Sequence, residues 1–234
     1  MENENPDIAI IKKKDGKRYT VRRDRSRYFF PVEWKIFIDS FKNKKHHLLF
    51  LTLLHTGARI MEALHLKVKS FDFHRGTVTF KVIKTRTSKK KTFSSRKKRE
   101  FFVTEKYLRE IKAFINKNNL KEEEYLFLNK KDLPINYETL SNKEKLKYFN
   151  KTKVAYSLLM KRHLKIANIN NYYEFSLHNI RKTYGNWMRL FLKIDEICYR
   201  MGHDEDTFME HYGSSLLFDE NDKVKIKSIL GEVK

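Results

Sequence analysis

The segment HHLLFLTLLH, from His46 to His55, is apolar on nearly every side of the helix that its spacing predicts. Such a helix must be covered all round, so we expect it at the centre of a helical domain, and it is too short to cross a bilayer. The residues TGA interrupt the segment, and RIMEALHL then resumes the helical spacing. Arg59 is thereby predicted at the start of a helix, beside a glycine turn.

Further helices are indicated on both sides of this segment. Pro31 suits a helix start, and apolar residues follow it at helical spacing. We expect this first helix to carry Trp34, Phe37, Ile38 and Phe41. A second helix is expected to be capped by Thr104 and to carry Leu108, Ile111 and Ile115, and a longer one has Val154, Leu158, Leu159 and Leu164 among its apolar positions. Two more are expected, one that begins at Ser176 or Leu177 and one that begins at Asp195 and ends at Gly202.

Two runs rich in β-branched and aromatic residues, 77 to 84 and 99 to 104, predict a β-hairpin. From Lys81 to Arg99 the chain has ten Lys or Arg residues and no acid, which suits phosphate contacts, although a solvated loop is the alternative. The residues predicted to bind nucleic acid here are Lys81, Arg86, Lys89, Lys90, Lys91, Arg96, Lys97 and Lys98. The expected fold is mainly α with a small antiparallel β-hairpin or sheet.

The pattern of the chain changes at Pro31. Residues 1–30 are polar and charged, and we interpret them as a basic arm or linker, with a short strand pair turning at Asp15 and Gly16. Residues 31–215 form the predicted main domain. Residues 216–234 suggest a short amphipathic helix that either packs on its own chain or docks on a neighbour.

The charge balance points to a polyanionic partner. The 51 Lys and Arg residues exceed the 29 Asp and Glu residues by 22, and each phosphate that such cations neutralise releases counterions. Nucleic acid is the first expectation. A ribosome-like basic protein, or a Lys-rich composition inherited from an AT-rich genome, would show the same excess.

Cys198 is the only cysteine, which excludes an intramolecular disulfide and a zinc site built from several cysteines. A single cysteine fits a reducing compartment. Because no segment reads as a membrane span or a signal peptide, we expect a cytoplasmic, nucleoid-associated protein without membrane contact.

His178 and Arg181 lie three residues apart on one predicted helix, so both side chains project from the same face and could hold one phosphate. By itself this pair is more typical of the ordinary surface of an amphipathic helix than of a phosphate site. The order of motifs adds weight: TGAR, a basic hairpin, HNIR, MGH, and Tyr212 nine residues after His203. In this order the sequence resembles the tyrosine recombinase (phage integrase) family.

The resemblance covers roughly residues 31 to 215 and implies a helical catalytic domain. Glu62 matches the acidic position one turn after the first arginine, and Lys81 and the lysines from Lys89 to Lys91 compete with Lys84 for the hairpin position. The resemblance implies double-stranded DNA as substrate, tetramers on two duplexes, and no metal or other cofactor. The catalytic residues it implies are Arg59, Lys84, His178, Arg181, His203 and Tyr212.

The sequence departs from the family in two places. Thirty polar residues cannot form the N-terminal helical domain with which family members close around DNA. The acidic run DEDTFMEH also replaces the usual small and hydroxyl residues between His203 and Tyr212. Because Asp204, Glu205 and Asp206 would repel DNA, we expect them to point away from it.

The chemistry accounts for these residue types. Tyrosine has a pKa near 10, so attack at neutral pH needs cations that stabilise the phenolate or a base that takes its proton. Arginines hold the non-bridging oxygens of a phosphate, and histidines donate hydrogen bonds or accept the phenol proton. Lys84 is the expected general acid for the leaving 5′-oxygen, and attack by Tyr212 would leave a 3′-phosphotyrosyl intermediate.

Three other functions are compatible with the sequence. A type IB topoisomerase-like enzyme shares the chemistry and differs only in the fate of the cut end. A metal-dependent nuclease would use Asp204, Glu205, Asp206 and Glu210 as ligands. For these acidic residues we favour another role, in which their carboxylates complement the positive end of a helix dipole. A DNA-binding protein with an inactive site is the last alternative.

Overall fold

A computed structural model describes residues 8–12, 18–22, 27–83, 98–128, 133–134, 136–212 and 218–232. For 8–12, 18–22, 207 and 210–212 the description is of the backbone only. The helices are α1 Pro31–Asp39, α2 Lys44–Thr56, α3 Ile60–Leu64, α4 Glu105–Lys117, α5 Asn142–Ile166, α6 Leu177–Met188, α7 Ile194–Met201, α8 Glu205–Tyr212 and α9 Glu220–Leu230. The strands are β1 Ile8–Lys12, β2 Arg18–Arg22, β3 Phe71–Asp72, β4 Thr77–Lys81 and β5 Lys98–Phe102.

Helix α2 lies at the centre of the fold, as its apolar surface predicts. It contacts α1, α3, α4 and α6, and its leucines and Phe50 are almost all fully buried. The helix begins two residues before His46 because the side chain of Asn43 caps it, accepting hydrogen bonds from the backbone N–H of Lys45 and His46 at 2.9 and 3.2 Å. Gly57 ends it in the left-handed conformation.

The predicted hairpin is confirmed and belongs to a three-stranded antiparallel sheet in the order β3-β4-β5. Val78 pairs with Phe101, and Lys81 pairs with Lys98 at the last described rung of the ladder. Side chains alternate across β5, so Arg99 and Phe101 face the core while Lys98 and Glu100 are exposed. The two-residue β3 was not predicted, because so short a strand carries no period of its own.

Of the four apolar residues expected on α5, Leu164 is fully buried and the other three are not. Val154 and Leu158 are 57% and 66% exposed, and Leu159 is only partly buried. The face that meets the core carries Phe149, Tyr156, Met160 and Leu164. Large rings occupy this face because they can stack: Phe149 lies parallel to the imidazole of His65 at a centroid distance of 3.7 Å.

The core begins before Pro31. Tyr28 and Phe29, within the predicted arm, are buried, and the ring of Phe29 packs against Trp34 and Phe37 with centroid distances of 5.3 and 5.2 Å. Trp187 Nε1 also donates to the Phe29 carbonyl at 3.1 Å. Farther towards the N-terminus, β1 and β2 form the expected antiparallel pair, and its turn at Asp15 and Gly16 lies outside the described residues.

Helix α9 packs on its own chain. Ile226 and Leu230 are buried, and α9 contacts α1. The Lys106 ammonium donates to the Ser228 carbonyl at 2.7 Å, while the ring of Phe218 packs against the ring of Tyr28 at 5.7 Å. None of the described helices combines the length and apolar character that a membrane span requires.

Candidate active site

Arg59 stands at the junction of α2 and α3, where the chain turns sharply. Gly57 adopts φ +58°, and a Cβ at this position would lie 2.3 Å from Cδ1 of Tyr184 on α6. Only glycine permits both this conformation and this contact. Arg59 is the N-cap of α3, and its side chain is 34% exposed. Arg59 therefore lies at a helix start beside a glycine turn, as predicted, and its guanidinium is partly exposed.

Glu62 fixes the conformation of this junction. Its carboxylate is fully buried, and Oε2 accepts a hydrogen bond from the Arg59 backbone N–H at 2.9 Å. The other oxygen lies 3.5 Å from Nη1 of Arg59. A carboxylate three residues after the N-cap satisfies an N–H that the helix leaves unpaired. Glu62 therefore holds both the backbone and the side chain of Arg59.

Arg181 joins the Gly57 turn to the end of α7. It projects from α6 and is 1% exposed. Its Nη1 donates to the carbonyl of Gly57, and its Nη2 donates to the carbonyl of Met201. Because the last carbonyls of a helix have no intrahelical partner, a guanidinium is a suitable donor to Met201. The buried arginine places a permanent positive charge between the segments that carry Arg59 and His203.

His203 follows the C-cap of α7. Gly202 takes φ +66°, and the His203 N–H donates to the Cys198 carbonyl at 3.0 Å, which ends the helix in a left-handed turn. The pKa of His203 is lowered to about 2, first by burial and then by the charges of Arg181, Arg59 and His178, against the opposing effect of Asp204. The imidazole is therefore neutral at neutral pH and has one N–H donor and one acceptor nitrogen.

His178 lies in the first turn of α6 and is exposed. It projects from the helix face that also carries Arg181, and its charge helps lower the pKa of His203. Among the described residues, the structure thus brings together four of the six predicted catalytic side chains: Arg59, His178, Arg181 and His203.

The other two predicted catalytic residues are described less completely. Tyr212 is the last residue of α8, the helix that begins two residues after His203, and only its backbone is described. Lys84 lies outside the described residues. Of the predicted nucleic-acid contacts, Lys81 and Lys98 are exposed and face each other at the end of the ladder. The remaining ones, Arg86, Lys89, Lys90, Lys91, Arg96 and Lys97, also lie outside the described residues.

The acidic run begins α8. Asp204, Glu205 and Asp206 are exposed, and Glu205 and Asp206 occupy the first helical turn, where carboxylates complement the helix dipole. Burial first, and then the charges of Glu205 and Asp204, raise the pKa of Cys198 to about 11. In the described part of the chain, no group of three or more His, Cys, Asp or Glu side chains could hold a metal ion.

Arg99 was not singled out by the sequence analysis. It occupies an inward position of β5, is 5% exposed, and donates through Nη2 to Glu62 Oε2 at 2.6 Å and through Nη1 to the Arg200 carbonyl at 2.5 Å. The alternation along β5 was the available signal, because it gives Arg99 and Phe101 the same face. The surrounding run of basic residues obscured it.

The site gathers two arginines and two histidines from the junction of α2 and α3, from α6 and from the end of α7. Such a group of donors and positive charges suits phosphoryl transfer. The sequence profile of the phage integrase family matches residues 35–216. The chain belongs to the phage integrase family, which confirms the resemblance seen in the sequence.

Solved structures show the same fold. A XerA recombinase is 14% identical, with a TM-score of 0.59 and a match covering 89% of this chain and 66% of that one. The Tn1549 transposon integrase in complex with transposon right end DNA is 18% identical, with a TM-score of 0.58 and a match covering 88% of this chain and 67% of that one. The XerH site-specific recombinase bound to difH substrate is 16% identical, with a TM-score of 0.55 and a match covering 93% of this chain and 59% of that one.

These likenesses confirm the predicted fold, a mainly helical recombinase catalytic domain with a small antiparallel sheet. This chain spans about three fifths to two thirds of the lengths of those three solved chains. No curated protein sequence gives a significant match.

Proposed function

We propose that this chain acts as a site-specific DNA recombinase that cuts and rejoins DNA strands through a 3′-phosphotyrosyl intermediate. The observation that carries the proposal is the position of the buried Arg181, whose guanidinium donates to the carbonyls of Gly57 and Met201 and so lies between the segments that carry Arg59 and His203. Two guanidiniums beside the neutral imidazole of His203 suit a phosphodiester, which brings one negative charge and oxygens that accept hydrogen bonds.

In the proposed reaction the Tyr212 hydroxyl attacks the scissile phosphorus. A bond forms between phosphorus and the tyrosine oxygen as the bond to the 5′-oxygen breaks. The phenol proton passes to His178, or to His203 once the bound phosphate offsets the arginine charges that lower the pKa of His203. Arg59 and Arg181 stabilise the charge of the pentacovalent transition state. Lys84 protonates the leaving 5′-oxygen. Because the phosphotyrosyl bond conserves the energy of the broken bond, a second DNA end can replace the enzyme without ATP.

Double-stranded DNA is the proposed substrate. The net charge of +22 and the exposed Lys81 and Lys98 at the base of the basic hairpin suit a polyanion. Two of the solved relatives are described in complexes with DNA, the Tn1549 integrase with a transposon end and XerH with difH. Contacts between basic side chains and the DNA phosphates provide affinity, while base contacts and DNA shape provide the site specificity.

We further propose that the active assembly is a homo-oligomer on DNA, a tetramer that holds two duplexes. A strand exchange needs two cut duplexes, and one chain has one nucleophile in this site. The helix α9 packs on its own chain in the free protein. The mass of the complex with a synapsed DNA pair, measured by mass photometry, tests this: four chains support it, and one chain per duplex with full strand exchange contradicts it.

The direct test of the activity is a nicked suicide duplex incubated with the protein in EDTA. We expect a covalent protein–DNA adduct that is lost in Tyr212→Phe. Arg59→Ala and Arg181→Ala should each lower the rate of adduct formation at least about 100-fold. Both variants should keep most of the DNA affinity, because other cations supply most phosphate contacts. Cleavage that requires a divalent metal, or that survives Tyr212→Phe, would contradict the proposal.

A further inference from the structure

Arg99 is a buried charge on a sheet face that otherwise packs in the apolar core. Its neighbour on that face, Phe101, is 6% exposed, and Arg99 itself is 5% exposed. Removing a guanidinium from water is costly unless its donors are paired. Hydrophobic packing alone would be better served by an aliphatic residue at this position. The side chain therefore has a use that depends on its hydrogen bonds.

The guanidinium of Arg99 joins β5 to two other elements, α3 and α7. Nη2 holds the carboxylate of Glu62 on α3 at 2.6 Å, and Nη1 holds the carbonyl of Arg200, in the last turn of α7, at 2.5 Å. The same Glu62 oxygen accepts the backbone N–H of Arg59. Arg99 thus connects the N-cap of α3 with the residue that lies three positions before His203.

Arg181 makes a parallel connection. It donates to the Gly57 carbonyl, two residues before Arg59, and to the Met201 carbonyl, two residues before His203. The consecutive carbonyls of Arg200 and Met201 are consequently held by two different guanidiniums, from β5 and α6. Further hydrogen bonds, from Arg200 Nη1 to the Phe102 carbonyl and from the Tyr199 hydroxyl to the Glu100 carbonyl, each at 3.3 Å, also join α7 to β5. Of the contacts from β5, the one made by Arg99 reaches both the α7 terminus and Glu62.

The contact with Gly202 tightens this arrangement. A Cβ on Gly202 would lie 3.0 Å from Nη1 of Arg99 and 3.4 Å from its Cζ. The guanidinium therefore packs directly against the glycine that precedes His203.

We propose that Arg99 is a positioning residue for strand transfer, whose guanidinium sets the placement of Arg59 relative to His203. This inference rests on the proposed function and adds a residue to its machinery. Arg99 does not touch the phosphate; it acts through Glu62 and the α7 terminus. A small displacement of groups that must meet one phosphate lowers the rate of the chemical step more than it lowers binding.

Arg99→Lys is the informative variant. It keeps a positive charge beside Glu62 but loses the planar fork that reaches two acceptors at once. With saturating suicide duplex, we expect the rate of adduct formation to fall about 10- to 100-fold. The dissociation constant for DNA should stay within about 2-fold, because the charge that phosphates attract is retained.

Arg27→Lys is the matched control. Arg27 also joins a carboxylate to a backbone carbonyl, with Nη2 at 2.7 Å from Glu33 and 3.2 Å from the Asn170 carbonyl. The same chemical change there should lower the thermal midpoint and leave the rate of adduct formation unchanged. A structural role for Arg99 alone predicts that both variants keep the wild-type rate.

A substrate with sulfur in place of the bridging 5′-oxygen separates two routes of action. A thiolate leaves without a proton, so the substitution removes the need for the hairpin lysine but not for Arg59 or His203. The defect of Arg99→Lys should persist on this substrate. If sulfur restores the wild-type rate, Arg99 acts through the general acid, and the inference is wrong.

Should Arg99→Lys fail to fold, Glu62→Gln tests the same connection, since it weakens the pair while keeping the size of the side chain. It should show the same persistent defect on the sulfur substrate. A wild-type rate in the variant that folds would overturn the inference alone. Absence of any adduct with the wild-type chain would overturn the proposed function, and the inference with it.

Discussion

Arg181 donates a hydrogen bond from Nη1 to the carbonyl of Gly57, which ties the middle of α6 to the turn that precedes Arg59. The second terminal nitrogen holds Met201. One buried side chain thereby links three segments that are distant in sequence. The site depends on this link because Arg59 and His203 lie on short loops, which other elements must hold in place.

The first prediction concerns the turn at Gly57. Gly57→Ala should abolish adduct formation and lower the free energy of unfolding, since the methyl group would lie 2.3 Å from Tyr184 Cδ1. Gly76→Ala is the control: it has a similar positive φ of +75°, but its nearest neighbour is Leu108 Cδ1 at 3.6 Å. The backbone strain is then common to both variants, about 1–3 kcal/mol.

Urea unfolding of the two glycine variants separates the effects. We expect Gly57→Ala to be less stable than Gly76→Ala by about 1–3 kcal/mol, the cost of overpacking. Equal losses in the two variants would show that the contact between Gly57 and Tyr184 does not constrain the turn.

The second prediction concerns the protonation of His203. Its pKa of about 2 implies that the imidazole stays neutral from pH 8 to pH 5. The NMR signal of this ring, which is identified because it is lost in His203→Gln, should therefore not shift with pH in that range. Arg59→Gln should raise this pKa, because it removes one of the cations that lower it. Bound DNA should raise it too, since a phosphate offsets the charges of both arginines.

The sign of the effect on stability follows from the same shift. The pKa of His203 in the folded chain lies below the ordinary value of 6.5, so the unfolded chain binds the extra proton first. The neutral ring contributes stability above pH 6.5, and that contribution is lost as the pH falls towards 2. A titration midpoint near 6.5 in the free protein would contradict the placement of His203 beside the two arginines.

The third prediction separates the candidate lysines. Lys84→Ala should lose cleavage of an ordinary duplex and regain it on a substrate with a bridging 5′-sulfur, because a thiolate leaves without protonation. Lys81→Ala should cleave both substrates normally, since Lys81 pairs with Lys98 within the ladder. The reverse result, with Lys81 as the rescued position, would change the assigned general acid and leave the nucleophile unchanged.

The fourth prediction concerns α9. Ile226 is fully buried, so Ile226→Ala should lower the free energy of unfolding by about 2–5 kcal/mol. Val224, on the same helix, is 66% exposed, and Val224→Ala should change it by less than about 0.5 kcal/mol. Both values come from urea unfolding of the free protein. Equal small effects would mean that α9 does not pack on its own chain in solution.

Much of this fold follows from local patterns in the sequence. The apolar α2, the Thr104 cap of α4, the β4-β5 hairpin and the C-cap at Gly202 each depend on residues close together in the chain, and each is found where it was expected. The proposed catalytic positions were assigned from the order of motifs. That order implies proximity only because the family shares one fold.

The parts that the sequence did not predict depend on long-range packing. Val154 and Leu158 are as apolar as the buried residues of α5, and only the position of the neighbouring elements decides which stripe is covered. The role of Arg99 could not be predicted for the same reason. Within a basic run it reads as one more phosphate contact, and its partners Glu62 and Arg200 lie 37 and 101 positions away.

The most direct test of the account is the chemical identity of the covalent link. The adduct formed in EDTA on a suicide duplex would be digested with nuclease and protease, and the modified peptide sequenced by mass spectrometry. We expect a nucleotide joined through its 3′-phosphate to the oxygen of Tyr212. A nucleotide on any other residue, or cleavage without a covalent adduct, would contradict it.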